Sequence, residues 1–332
     1  MSIKEPKRWK AIAFIIAAMS AFVTIGGARD AQTSQISIER TPARISRGRY
    51  LVENLAHCFR CHSENDFQRL NGQAPAEKKG GGQVVPANEF SEPLPSRMVC
   101  PNISPDRETG AGTWSDEDFV RAIRQGIGHD GRKLHSLMPY WTLRVLTDDD
   151  LAAVIAYVRS IPAVRHSLPK RSLTTEPVLL EIPRLRTPDA PANSSAQVRQ
   201  GEYLAHIGNC AGCHDGVTPE RNPVPGLEFG GGRVLRGRWG VVTSQNITPD
   251  ASGIGYYDEQ KFIEVMRTGH VGARKLNPIM PWADFRNLTD SDLKALFAYL
   301  RTVPAVQHRV DNTEPPTYCP KCKNFHGFGD RN

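Results

Sequence analysis

The sequence predicts a mainly α protein built from two copies of one small helical domain. Three observations lead to this fold class: a long internal repeat, a helical spacing of apolar residues near the end of each copy, and few extended segments. Only GQVV, from Gly82, and GGRVL, from Gly231, resemble strands. The 28 glycines and 25 prolines among 332 residues indicate long loops between short helices.

The N-terminus has the pattern of an export signal or a membrane anchor, assigned to residues 1–28. Lys4, Lys7, Arg8 and Lys10 precede an uncharged run, AIAFIIAAMSAFVTIGGA, that ends at Ala28. The run is long for a signal peptide and only just long enough to span a bilayer, so both readings stay open. The basic flank places the rest of the chain outside the cytoplasm, which predicts a periplasmic protein with the inner membrane as a neighbour.

The repeat is visible as paired segments in the same order. GRYLVENLAHCFRCH, from Gly48, matches GEYLAHIGNCAGCH, from Gly201, and PNISPD matches QNITPD. RKLHSLMPYW and LTDDDLAAVIAYVRSIPAV match RKLNPIMPWA and LTDSDLKALFAYLRTVPAV, and glycine triplets recur at Gly80 and Gly230. We therefore divide the chain after the leader into a first domain, a proline-rich linker, a second domain and a tail, at residues 45–163, 164–194, 195–310 and 311–332.

Each copy contains three helical patterns. A first helix begins near Ile45 or Ala196 and runs into a cysteine motif, and a middle helix begins near Ser115 or Asp258. The last helix is capped by Thr147 or Thr289, with an aspartate three residues later, and is followed by a proline. Three short helices with long loops bury little apolar surface, so each copy needs a large apolar group at its centre.

The repeated motif is Cys-x-x-Cys-His, at Cys58, Cys61 and His62 and again at Cys210, Cys213 and His214. This is the attachment motif for haem c: one helical turn places both thiols along a porphyrin edge, and the histidine then faces the iron. A zinc site shared by the two motifs would leave both histidines unused, and a redox disulfide needs a βαβ context that is absent. The motifs therefore predict two covalent haem c groups.

The opposite iron ligands are predicted to be Met138 and Met280. Each precedes a proline at the same place in the repeat, and a thioether is a usual sixth ligand of haem c. Core packing is the alternative role of these methionines. Trp114, Tyr140, Trp141 and Trp282, with Arg132 and Arg274, are further candidates to surround the haems and their propionates, and ordinary core or surface roles stay open for them.

Three cysteines lie outside these motifs. Cys100 stands where the second copy has Ser244, and it is expected to be a buried thiol, a disulfide partner or a thiolate ligand of the first haem. Cys319 and Cys322 form a third pair, with Lys323 in place of the histidine, and are expected to pair with each other or with Cys100. The +7 net charge is partly due to the leader and shows no basic stripe, so nucleic-acid binding is not expected.

On these motifs both copies resemble class I cytochrome c domains. The pattern is similar to the membrane-bound cytochrome c subunits of bacterial periplasmic alcohol, sugar-acid and aldehyde dehydrogenases, although those usually carry three haems. The resemblance implies an electron carrier, not an enzyme, whose donor is a dehydrogenase subunit and whose acceptor is a cytochrome, a quinone or an oxidase. It also implies one alternative, a diheme redox enzyme, of the thiosulfate dehydrogenase or peroxidase kind, with Cys100 as a haem ligand.

Overall fold

The structure is a computed structural model, which describes residues 36, 38–87, 89, 97–173, 176–179 and 194–328. The predicted leader at residues 1–28 and most of the proline-rich linker lie outside these ranges. The described residues from Ile38 onward form one compact unit. Within the described residues, no helix combines the length and the apolar character needed to cross a bilayer. We call residues 38–179 the first half and residues 194–328 the second half.

Helices are the main regular elements of both halves, as the mainly α prediction expects, and apart from α6 they follow the same order. The first half contains α1 (Pro42–Tyr50), α2 (Asp116–Gln125), α3 (Tyr140–Leu143) and α4 (Asp148–Val158). The second half contains α5 (Ala196–Ile207), α6 (Cys210–His214), α7 (Glu259–Thr268), α8 (Trp282–Phe285) and α9 (Asp290–Leu300).

The strands are short and form two-stranded antiparallel hairpins in the described part of the chain. They are β1 (Gln83–Val85) with β2 (Met98–Cys100), β3 (Val234–Gly237) with β4 (Gly240–Thr243), β5 (His270–Val271) with β6 (Arg274–Lys275), and β7 (Thr317–Tyr318) with β8 (Phe325–His326). The two segments predicted to be extended are therefore β1 and β3. Their partner strands gave no clear signal in the sequence.

The predicted helix starts are confirmed where a capping residue marks them. The side chains of Thr147 and Thr289 accept hydrogen bonds from the backbone N–H three residues later, and so begin α4 and α9. Ser115 forms a complete capping box with Asp118 at the start of α2, and Asp258 caps α7. Helix α1 begins earlier than predicted, because Thr41 caps it and a proline occupies its first position.

The first and last helices of each half cross at a glycine. A Cβ atom on Gly48 of α1 would lie 1.9 Å from the backbone oxygen of Ala153 in α4. A Cβ on Gly201 of α5 would lie 1.9 Å from the oxygen of Ala295 in α9. Only a residue without a side chain lets the two backbones approach this closely. These two crossings pack the helix that precedes each cysteine motif against the last helix of the same half.

The two halves contact each other through reciprocal hydrogen bonds. The Tyr50 hydroxyl of α1 donates to Asp292 of α9 at 2.5 Å and accepts from the backbone N–H of Thr289 at 3.1 Å. The Tyr203 hydroxyl of α5 donates to Asp150 of α4 at 2.6 Å, and the same oxygen accepts from the N–H of Thr147. Each first helix therefore binds the N-terminus of the last helix of the other half.

A buried ion pair adds to the contact between the halves. The guanidinium of Arg60, beside the first cysteine motif, donates to the Asp284 carboxylate in α8 at 2.5 Å, and the two side chains are only 10% and 6% exposed. Arg60 also donates to the backbone oxygens of Pro278 and Asn71. Gln73 donates to the second carboxylate oxygen of Asp284. These hydrogen bonds compensate the two buried charges for the water that they lose on folding.

The segment after Val310, predicted to be a polar tail, is instead a folded hairpin up to residue 328. Strands β7 and β8 bring Cys322 and His326 into buried positions, with 0% and 6% exposure. None of the seven cysteines, all of which lie within the described ranges, is joined to another. The expected disulfide of Cys319 with Cys322, or of either with Cys100, is therefore absent from this structure.

Candidate haem sites

The first cysteine motif lies on a single tight turn that follows helix α1. After α1 the chain makes one π-helical turn, Leu51–Leu55, and then His57 adopts a left-handed backbone with φ of 37°. Cys58 to Arg60 form a 3₁₀ turn that ends at Cys61. The helix was predicted to run directly into the motif. The left-handed residue instead breaks the helix and redirects the chain, so that the motif turn starts with a new axis.

The second motif repeats this arrangement with a regular helical turn. Asn209, with φ of 53°, separates α5 from α6, and α6 itself is the motif, Cys210–His214. One helical turn thus carries both cysteines in each half, which is the geometry that thioether bonds to two neighbouring vinyl groups require. Asparagine is one of the few residues that adopt the left-handed conformation at low cost.

Both motif histidines are oriented by a backbone carbonyl. Nδ1 of His62 lies 2.9 Å from the oxygen of Pro101, and Nδ1 of His214 lies 2.7 Å from the oxygen of Gln245. An Nδ1–H that donates to a carbonyl leaves the Nε2 lone pair free to bind a metal. Burial lowers the pKa of both imidazoles, which favours the neutral form that ligates iron.

The two methionines occupy the same kind of turn. The backbone N–H of Met138 donates to the oxygen of His135, and its own oxygen accepts from the N–H of Tyr140. Met280 makes the corresponding bonds with Asn277 and Trp282. Pro139 and Pro281 then begin the short helices α3 and α8. The proline after each methionine therefore fixes the loop that presents the thioether.

One large cavity joins all eight predicted site residues. Its volume is ≈ 900 Å³, which is at the upper end of the range for cofactor pockets. The residues that line it include Cys58, Cys61, His62, Met138, Cys210, Cys213, His214 and Met280. Most other lining residues are apolar, among them Phe119, Leu143, Phe262 and Leu296. A long apolar cavity with paired thiols, imidazoles and thioethers suits two flat, largely apolar groups.

A buried donor in the second half also points to a group that the chain does not supply. The side-chain nitrogen of Gln245, on the cavity wall, is inaccessible to solvent and has no hydrogen-bond partner among the described residues. Buried polar atoms are nearly always hydrogen-bonded in native proteins. An acceptor on a bound cofactor would satisfy this nitrogen. The residues present therefore fit the haem that the motifs predict.

Burial also sets the acidity of the motif thiols. It raises the pKa of Cys58 and of Cys210 to about 12. Cys61 differs, because a hydrogen bond from the Cys100 thiol lowers its pKa. Cys100 itself is buried with Val85 and Met98 and contacts Cys61. In this structure Cys100 is thus engaged with the motif cysteine of its own half.

The further candidates divide into two groups. Trp114, Trp141, Arg132 and Arg274 line the cavity, as predicted. Tyr140 and Trp282 do not: their rings pack on the left-handed glycines that end α2 and α7, with a Cβ on Gly126 or Gly269 falling within 2.8 Å or 2.4 Å of a ring atom. Both side chains belong to the core, with exposures of 0% and 5%.

Sequence reasoning missed the carbonyl acceptors of the histidines and the left-handed residues before the motifs. Pro101 and Gln245 act through backbone oxygens, so their side chains gave no signal. Their position did give one, since each stands directly before the repeated Asn-Ile-Ser/Thr-Pro-Asp segment. His57 and Asn209 both stand one residue before a motif, but the shared position alone does not reveal a backbone angle.

Comparison with known proteins relates the chain to cytochrome c subunits. Residues 43–158 match the family described as cytochrome C oxidase, cbb3-type, subunit III. The chain is 27% identical over 328 residues to the cytochrome c subunit of alcohol dehydrogenase (quinone) from Gluconobacter oxydans, with 92% of this chain and 62% of that protein covered. It is 29% identical over 289 residues to the fructose dehydrogenase cytochrome subunit from Gluconobacter japonicus, with 80% of this chain and 55% of that protein covered.

A shorter relative is covered more completely. The chain is 26% identical over 268 residues to a protein named diheme cytochrome c-type from Cereibacter sphaeroides, with 75% of this chain and 83% of that protein covered. The chain spans less than two thirds of the length of the two dehydrogenase subunits named above.

Proposed function

We propose that this chain is a c-type cytochrome, with one cytochrome c domain over residues 43–158, that carries electrons on two covalently bound haem c groups. In this proposal residues 45–163 and 195–310 are tandem cytochrome c domains. The repeated order of helices, the two matched glycine crossings and the diheme relative support the assignment.

The observation that carries the proposal is the common cavity lined by both sets of site residues. Cys58 and Cys61 would hold one haem and Cys210 and Cys213 the other. His62 and Met138 would bind the iron of one haem, and His214 and Met280 would bind the iron of the other. Haem c supplies reversible one-electron chemistry at its iron, and a methionine ligand raises its reduction potential.

The surrounding residues have defined tasks in this scheme. The carbonyls of Pro101 and Gln245 hold each histidine in the tautomer and orientation that present Nε2. Pro139 and Pro281 hold the methionine turns, and the mostly apolar wall would surround the haems. Fixed ligands in an apolar cavity would orient each haem and tune its iron, which suits a carrier.

With His62, Met138, His214 and Met280 as ligands, both irons would be closed to a substrate, so we propose electron transfer and no catalytic step. The donor would be a dehydrogenase subunit, as the names of several relatives suggest. The acceptor would be another cytochrome, a quinone or an oxidase. The location would be the periplasm, with the N-terminal segment as a signal or an anchor in the inner membrane.

In the alternative, a diheme enzyme, Cys100 is a haem ligand; Cys100 also lines the cavity, and we assign Met138 in preference to it. Cys100 packs with Val85 and Met98 and is hydrogen-bonded to Cys61. The neighbouring Pro101 carbonyl accepts from His62, the ligand that both schemes share. Met138 and Met280 occupy the same place in their loops. The residue that corresponds to Cys100 in the second half is Ser244, so only the methionine is present in both halves.

The test is expression of the full chain in a host that attaches haem c. We expect an intact mass with two haems and, in the ferric protein, the weak band at the red edge of the visible spectrum that reports an iron–thioether bond. Met138→Leu and Met280→Leu should each remove about half of that band and lower the potential of one haem.

Met266→Leu is the matched control, because Met266 is buried and also lines the cavity but lies on a helix. It should leave the band intact. A chain without attached haem, or a band that survives the loss of both Met138 and Met280, would contradict the proposal.

A further inference from the structure

Four metal-binding side chains meet outside the haem cavity. His308 follows α9, Cys319 and Cys322 lie in the turn between β7 and β8, and His326 lies on β8. None of the four lines the cavity that holds the predicted haem ligands. The proposed function therefore makes no use of them.

Their ligand atoms are close enough to share one ion. All four lie within 4.8 Å of one another. Nε2 of His308 is 3.3 Å from Sγ of Cys319, and Nε2 of His326 is 3.1 Å from Sγ of Cys322. In a tetrahedral zinc site, with bonds of about 2.0–2.3 Å, neighbouring ligand atoms are separated by about 3.3–3.8 Å. Small side-chain rotations would therefore close the shell.

Three of the four ligands are buried, Cys319 is partly buried, and further hydrogen bonds hold the histidines. Cys322, His308 and His326 have exposures of 0%, 3% and 6%. Nδ1 of His308 lies 2.8 Å from the oxygen of Gly230, so that Nε2 is free to face the cysteines. The His326 ring is hydrogen-bonded to the backbone of Arg309. Outer bonds of this kind orient the histidines of zinc sites.

The backbone beneath the cluster leaves room for it. Gly232 has φ of 96°, and a Cβ at this position would lie 2.6 Å from Cε1 of His308 and 3.3 Å from both Sγ of Cys322 and Nε2 of His326. The glycine thus removes the atom that would press on three of the four ligands. Its left-handed backbone is also one that other residues rarely adopt.

The first half provides an internal comparison. His166 occupies the place of His308, with Nδ1 3.0 Å from the oxygen of Gly81. The contacts align Gly81 with Gly230 and Gly82 with Gly231, because the amides of Gly82 and Gly231 both donate to the motif histidine's oxygen. Gln83 therefore corresponds to Gly232. The glycine under the cluster, the two cysteines and the second histidine are features of the second half only.

We propose that His308, Cys319, Cys322 and His326 bind one structural Zn²⁺ that fastens the C-terminal hairpin to the second half. Two thiolates and two neutral imidazoles form a closed tetrahedral shell with no position for a substrate. The two thiol protons leave to solvent as the metal binds, and the thiolates balance the charge of the ion, so that no net charge is buried. The zinc site would be independent of the haems, so this proposal and the proposal of a diheme cytochrome can each fail without the other.

The first experiment measures zinc and haem separately in the full-length protein. We expect about one zinc per chain by elemental mass spectrometry. The haem content is measured from the pyridine haemochrome spectrum. X-ray absorption at the zinc edge should show two sulfur and two nitrogen neighbours, a signal that haem iron does not disturb. Haem without zinc, and an intact mass lighter by two hydrogens, would identify a Cys319–Cys322 disulfide and overturn the zinc site alone.

Variants locate the ion. The double change Cys319→Ser and Cys322→Ser should lower the zinc content roughly tenfold or more. His166→Ala, the matched control in the first half, should keep the zinc. Zinc that persists in the double variant would be adventitious and would contradict the proposal.

Limited proteolysis of the wild-type protein tests the proposal even if the cysteine variant does not fold. Lys321 and Lys323, on either side of Cys322, are exposed and offer sites to trypsin. Removal of zinc with a chelator should speed cleavage there, and added Zn²⁺ but not Mg²⁺ should restore protection. Equal cleavage in all three states would show that no ion holds the hairpin.

Discussion

At the scale of single residues, the two histidine ligands depend on backbone atoms of a distant loop. Pro101 and Gln245 stand far from His62 and His214 in sequence, yet their carbonyls bind Nδ1 in the same way. The side chain next to this loop differs between the halves, since Cys100 is replaced by Ser244. The oxygen that orients the imidazole is therefore shared, and the thiol is not part of that function.

The Cys100→Ser variant tests this distinction. Because Cys100 contacts Cys61 and the second half has serine at the matching position, we expect two attached haems and an unchanged iron–thioether band. The loss of a buried thiol should cost about 1 kcal/mol of unfolding free energy or less. A shift of one haem spectrum, or the appearance of a new ligand set, would instead assign Cys100 to the iron.

Site residues that belong to a sequence motif could be predicted from the sequence. Residues that only the fold brings together could not. The spacing within Cys-x-x-Cys-His and the repeated Met-Pro identified eight residues, and all eight line the cavity. Cys319 and Cys322 were noticed as a pair, but His308 and His326 were not connected with them. His308 joins the cluster only because the chain after α9 folds back over Gly230.

At the scale of helices, each half is organised around the crossing of its first and last helix. Gly48 and Gly201 let α1 meet α4 and α5 meet α9 at backbone distance. The caps at Thr147 and Thr289 set where α4 and α9 begin, and so which of their residues face the glycine. A small change at either glycine should therefore separate two helices rather than disturb a single side chain.

Gly48→Ala should destabilise the protein strongly. Its Cβ would lie 1.9 Å from the Ala153 oxygen, and helix backbones cannot yield as a side chain can, so we expect a loss of about 3 kcal/mol in urea unfolding. Gly201→Ala should behave in the same way. Gly272→Ala is the control: its φ of 61° is strained but nothing lies within 4 Å, so about 1 kcal/mol is expected. Equal losses at Gly48 and Gly272 would refute the close crossing.

The elements that sequence analysis missed are those stabilised by tertiary contacts. Helices α3 and α8 are four residues long, too short for a periodic pattern, and depend on the turn after each methionine. The π-helical turn at Leu51–Leu55 contains Leu51 and Val52, both fully buried, so its form follows from packing. The longer helices have caps and apolar periodicity of their own, which is why they were predictable.

At the scale of the whole molecule, the two halves are joined by a reciprocal pair of tyrosine contacts. The hydroxyls of Tyr50 and Tyr203 each bind a carboxylate and the capped N-terminus of a helix in the other half. Burial by itself raises the pKa of the Asp150 carboxyl. The hydrogen bonds from Arg47 and Tyr203 outweigh this effect, so that the pKa of Asp150 is lowered. The Tyr203 contact thus pairs a neutral phenol with an ionised carboxylate.

The charge state of these phenols gives the interface a pH dependence. Burial, with the hydrogen bond to an aspartate, raises the pKa of Tyr50 and of Tyr203 from 10.0 to about 12. The folded protein therefore holds both protons more tightly than the unfolded chain does. The stability that this supplies is fully present below pH 10 and is lost as the pH rises through about 12.

The double variant Tyr50→Phe and Tyr203→Phe should be less stable than the wild type at neutral pH, by about 1–2 kcal/mol for each site, because a phenylalanine leaves both the carboxylate and the helix N–H without their partner. The difference should shrink when urea unfolding, followed by circular dichroism, is repeated between pH 10 and pH 12. Tyr318→Phe, which alters a ring that is 53% exposed, should match the wild type throughout. A gap between wild type and double variant that stays constant across this range would mean that the phenols do not join the two halves.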